Sequence, residues 1–98
     1  MKSEMIPVLV TTKHKGVFFG YVENETDLDF NETKLFDARA GIYYSADMKG
    51  TFGLASKGPS NGCRIGPAAP WILLNDITAF AACTEEAASR WESAPWAI

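Results

Sequence analysis

Apolar and polar positions alternate in short blocks along this chain, and the blocks set the order of elements. Two runs of β-branched and aromatic residues, 7–12 (PVLVTT) and 17–22 (VFFGYV), flank the polar connection Lys13-His14-Lys15-Gly16. That is the pattern of a β-hairpin. Gly20 has no side chain to pack inside the second strand, so it marks a bulge or a sharp bend of the sheet. From residue 23 to 33 the chain turns polar and acidic, and the triplet Asn24-Glu25-Thr26 recurs as Asn31-Glu32-Thr33. The segment predicts a long solvated loop; two copies of a triplet are too few for a repeat architecture. Strands resume at 34–38 and 41–45, and the turn Asp47-Met48-Lys49-Gly50 leads into a further strand at 51–56.

Residues 57–70 hold three Gly and three Pro. This density excludes helix and central strand alike and predicts an extended loop. Two short strands follow at 72–74 and 77–82, separated by Asn75-Asp76. Thr84 then suits a helix N-cap, Glu85 and Glu86 sit where the helix dipole favours negative charge, and Glu86 lies four residues before Arg90. The helix ends at Ser93 before Pro95, with Ala87, Ala88 and Trp91 as its packing face, and Trp96 is expected to fold back on the sheet. About six short strands and one C-terminal helix predict a mainly β fold, with α+β as the formal alternative. The expected form is a strongly bent antiparallel sheet or small open barrel that the helix closes at one end.

Length and charge narrow the picture. Ninety-eight residues predict one domain, 1–98, with a single core. The net charge of −3 gives no global attraction to nucleic acid or to an anionic membrane. The opening residues lack the apolar stretch of a secretory signal, and no apolar run reaches the length of a membrane span. A cytoplasmic location is expected, and there Cys63 and Cys83 are read as free, partly buried thiols rather than a disulfide.

Candidate chemistry is sparse. The one histidine, His14, sits between two lysines with no acidic partner adjacent, which suits a solvated turn better than a catalytic base. One His and two widely spaced Cys do not make a zinc site. Asp27, Asp29 and Asn31 alternate as the start of a calcium loop does, but Glu32 occupies the required Gly position and Ala38 the closing carboxylate position. The same acids could imitate phosphates to a basic partner, though most acidic loops merely solvate. The segment from Lys57 through Gly58-Pro59 and Cys63-Arg64 to Pro67 can converge backbone amides on an anion, with Lys57 and Arg64 adding charge. It lacks the Walker and Rossmann spacings, so a rigid crossing loop is the plainer reading. One of Tyr43 and Tyr44, which face opposite sides of a strand, or Trp71 would stack a base beside it. The candidate anion- or nucleotide-binding set is therefore Lys13, His14, Lys15, Tyr43, Tyr44, Lys57, Arg64 and Trp71. No catalytic residue, metal ligand or cofactor is assigned; an enzyme using Cys63 and His14 is the remote alternative.

The strings Thr11-Thr12-Lys13-His14-Lys15-Gly16-Val17-Phe18-Phe19-Gly20, Gly53-Leu54-Ala55-Ser56 with Gly58-Pro59, and Asp76-Ile77-Thr78 with Cys83-Thr84 and Trp91 carry a resemblance. From Val8 to Trp96 the chain resembles a group of small uncharacterised proteins of tailed bacteriophages and prophages. The resemblance implies a setting: a phage-encoded, non-enzymatic binding protein in the host cytoplasm, acting against host defence. It would either mask a host protein or sequester a small nucleotide signal. A single-stranded nucleic-acid binder on a small barrel is the alternative, with nucleic acid possible but not favoured, and a virion role also remains open. No membrane partner is expected. Self-association is, because a short β chain has edge strands and aromatics to cover.

Overall fold

The computed structural model describes residues 5–13, 16–43, 50–59 and 64–94. Strands β1 (Ile6–Thr12) and β2 (Val17–Val22) form the expected hairpin, with Leu9 opposite Phe19 and the Thr12 amide donating to Gly16 O at 2.9 Å. Strand β3 (Thr33–Tyr43) lies against the other edge of β2. Sequence spacing divides this stretch into two strands. The structure makes it one, bulged where the single residue Gly20 faces Asp37 and Ala38, with the φ of Asp37, 49°, in the left-handed region. Gly20 permits the close approach: a Cβ there would stand 2.8 Å from the Leu35 Cβ.

Two strands share the far edge of β3, β4 (Arg64–Ile65) and β5 (Ala69–Leu74), while β6 (Ile77–Ala82) pairs with β1. All pairings are antiparallel, and the order is β4/β5, β3, β2, β1, β6. Strands β5 and β6 therefore occupy opposite edges, yet only Asn75 and Asp76 connect them. The sheet must bend until its edges converge at that corner. No ladder joins β5 to β6 among the described residues, so the barrel stays open. The loop expected over 57–70 thus contains β4 and the start of β5; Pro70 is tolerated because β5 is an edge strand.

Side-chain alternation along the strands sends apolar residues to both faces. Leu9, Val17, Phe19 and Tyr21 form one core with Leu54, Ile65, Ala88 and Trp91, beneath helices α1 (Gly50–Ser56) and α2 (Glu85–Ser93). Val8, Val10, Val22, Leu35, Ala38 and Ile77 form a second core, to which the alternate residues of β1 and β2 point. At about 1.5–3 kcal/mol for each large apolar side chain removed from water, burial on both faces is the main source of stability.

Helix α1 overturns the strand expected at 51–56. The Phe and Thr there favour β, and Gly50 and Gly53 weaken a helix, but tertiary packing prevails: Leu54 and Ala55 are buried in the first core. The helix ends as helices do, with the Lys57 and Gly58 amides donating to Gly53 and Leu54 carbonyls and Gly58 at φ +81° before Pro59. Helix α2 is as expected. Thr84 Oγ1 accepts from the Ala87 amide at 3.0 Å and donates to Ser56 O at 2.7 Å, tying the two helices together. Ala87, Ala88 and Trp91 are buried, and Arg90 pairs with Glu86 at 3.9 Å. Trp96 lies outside the described residues. Among the described residues no helix is long and apolar enough to cross a membrane.

Candidate functional site

Register places Pro7, Tyr21, Phe36 and Trp71 in one row across β1, β2, β3 and β5. The next same-face pair on the outer two strands is Lys34 with Leu73. Helix α2 covers this face as far as Tyr21, whose hydroxyl donates to the Glu92 carboxylate. Beyond it, no helix among the described residues covers β3 and β5, and Trp71 and Leu73 are 53% and 54% exposed. The Lys34 ammonium rests over the Trp71 ring, 4.3 Å from its centroid, and 5.2 Å from that of Phe36. The result is a strip of two aromatic rings, a leucine and a lysine along an edge strand.

The acidic loop borders the strip. Glu23 and Asp27 line an open cleft of about 330 Å³ with Lys34 and Phe36. The loop is held by its own hydrogen bonds: the Asn24 amide to Asp27 Oδ2 at 3.0 Å, the Asp29 amide to Thr33 Oγ1 at 2.9 Å, and the Asn31 amide to Asp29 Oδ1 at 2.8 Å. Its carboxylates are therefore presented on a fixed backbone. Toward β1, a second open cleft of about 310 Å³ lies between Met5, Pro7 and Tyr21 on the sheet and Glu85 and Glu92 on α2.

Most of the set expected from sequence does not join this strip. Trp71 does, with Lys34 as its neighbour. Lys13 stands at the other end of β1, its amide bonded to Asp76 O at 2.9 Å, about 20 Å along the strand from the Pro7 row. Lys57 is exposed after α1, and the adjacent Gly58 packs against Ala87 and Arg90 of α2. At 100° per residue those positions lie opposite Glu85, Ala88 and Glu92, which face Tyr21. Helix α2 thus separates Lys57 from the strip. Tyr43 and Arg64 belong to β3 and β4, with side chains outside the described part of the structure. His14, Lys15, Tyr44, Cys63 and the heart of the glycine and proline loop at 60–63 also lie outside the described residues.

Sequence reasoning missed Lys34, Phe36 and Leu73. The available signal was the apolar run after Pro70: a proline marks an edge strand, and an edge strand beyond the helix exposes its Trp and Leu. For acid–base chemistry the described residues offer little. Cys83 carries a free, partly buried thiol whose pKa burial pushes up to about 12, so it is no thiolate nucleophile at neutral pH.

The sequence profile of a family described as a domain of unknown function (DUF6948) matches residues 5–91. No curated protein and no solved structure matches the chain.

Proposed function

The chain belongs to the DUF6948 family, and we propose that it is a non-enzymatic binding protein that holds a protein partner against strand β5, with Trp71 and Leu73 as anchors. One observation carries this reading: two large apolar side chains, each more than half exposed, stand side by side on a strand that forms a sheet edge among the described residues. Interfaces take most of their energy from a few such anchors, Trp foremost among them. Among the described residues no strand pairs with the outer edge of β5, which adds a row of backbone groups that an extended segment of a partner can bond. The fixed backbone beneath keeps the ordering cost of binding low.

A stacked base would also suit an exposed Trp. Glu23 and Asp27 weigh against it, because a phosphate chain on this strip would lie beside two carboxylates. A nucleotide held jointly by Lys57 and Trp71 would have to span α2. The resemblance to small phage and prophage proteins supplies the setting: a phage-encoded protein acting in the host cytoplasm, with a host defence protein as the partner.

Affinity capture from bacterial lysate tests the reading, with the native chain beside a Trp71→Ala/Leu73→Ser double variant. Both side chains are exposed, so the variant keeps the fold. A protein retained by the native chain, lost by the variant and rebinding when purified supports the reading. Equal retention by both chains contradicts it.

A further inference from the structure

The two rings of the strip already hold a cation, and it belongs to the chain itself. Lys34 places its ammonium over Trp71 and Phe36 at 4.3 Å and 5.2 Å, within the range of cation–π attraction. It forms no ion pair with Glu23 or Asp27, although those acids line the same cleft. Glu23 and Asp27 are exposed, and Asp27 spends one oxygen on the Asn24 amide. Neither carboxylate of the cleft is therefore held in a contact ion pair by the lysine beside it, and two acids face one ammonium. Aromatic faces and open carboxylates together are complementary to one kind of group, a flat cation that stacks and donates hydrogen bonds.

We propose that the cleft lined by Glu23, Asp27, Lys34 and Phe36, beside the Trp71 ring, receives an arginine side chain of the protein partner, and that Lys34 acts as an internal stand-in that yields ring surface to it. The inference rests on the reading of β5 as the docking edge and adds the chemistry of what docks there. A guanidinium stacks on an aromatic face while its fork of N–H groups meets a carboxylate, a combination an ammonium does not offer. The occupant is one residue of an extended or helical segment whose apolar neighbours lie on Trp71 and Leu73. A partner surface without arginine leaves the two carboxylates facing apolar groups, so the cleft also selects against wrong partners.

Nitrogen-edited NMR of the intact chain tests this, with Nα-acetyl-arginine amide as the probe and the citrulline analogue as its neutral counterpart. The expected result is saturable shifts at the Trp71 indole N–H and at the Glu23, Asp27, Lys34 and Phe36 amides with arginine, and none with citrulline. Lys34→Met should tighten arginine binding about two- to five-fold, the factor expected for removing a competing exposed cation–π contact. Glu23→Gln with Asp27→Asn should weaken it. Equal shifts from both probes, shifts elsewhere on the chain, or indifference to all three substitutions would overturn the inference. If the arginine shifts are absent while capture still depends on Trp71 and Leu73, the cation site falls and the docking edge stands. If capture is independent of both residues, the docking edge itself falls.

Discussion

Arg39 carries a charge into the interior, where it is 9% exposed. Its Nε donates to Gly66 O at 2.6 Å and its Nη1 to Trp91 O at 2.8 Å, with a longer bond to Glu92 O. Two of these carbonyls end α2, where a helix leaves acceptors unpaired and its dipole favours a cation. Burial lowers the guanidinium pKa. Arg39→Met keeps the aliphatic volume and strands the carbonyls, and should cost about 2–4 kcal/mol of stability, measured by urea unfolding. Cys83 gives a pH signature. Its thiol ordinarily titrates near 9.0 and is pushed to about 12 in the fold by burial. The unfolded chain therefore releases its proton first as pH rises. Stability should fall between about pH 9 and 12, less so in Cys83→Ala. At pH 8, peptide mapping after alkylation should find Cys83 unmodified in the folded chain and modified in urea. At this scale Gly20 was legible from sequence because a glycine inside a strand has few explanations. Arg39 was not, because nothing in its neighbours says which way a bulged strand turns it.

Helix α2 and the β1–β2 hairpin were readable because their signals are local: a capping Thr, first-turn acids, a polar turn between two apolar runs. Helix α1 was misread because its middle, Thr51 to Leu54, argues for strand by composition. Its end carried the better signal, Gly58-Pro59 just past the last turn, a left-handed glycine followed by a residue that cannot continue the helix. Strand β3 was divided in two because the bulge opposite Gly20 breaks the period of two without ending the strand. Thr84 joins these elements, capping α2 while binding the last turn of α1. Thr84→Ala should cost about 1–2 kcal/mol, and Thr84→Ser much less, both read from thermal unfolding. A loss confined to α2 would appear as a small change in helical circular dichroism with the unfolding midpoint unmoved. Such a result would remove Thr84 as the junction of the two helices.

For the whole molecule, the strongly bent antiparallel sheet with a C-terminal helix followed from strand spacing, whereas the binding surface did not. Sequence drew attention to cations and glycines, since those groups announce chemistry by type. The strip on β5 is made of ordinary residues and acquires meaning from three placements: β5 at an edge, α2 ending its cover at Tyr21, and the acidic loop folded beside Lys34. None of these is local in sequence. The central claim is that β5, and not the glycine and proline loop, meets the partner. Site-specific photo-crosslinking in bacterial cells, with a benzoylphenylalanine in place of Leu73 in one chain and of Lys57 in another, tests it most directly. The account predicts a discrete protein adduct from position 73 and none from position 57. An adduct from 57 with none from 73 would place the contact across α2 and contradict it.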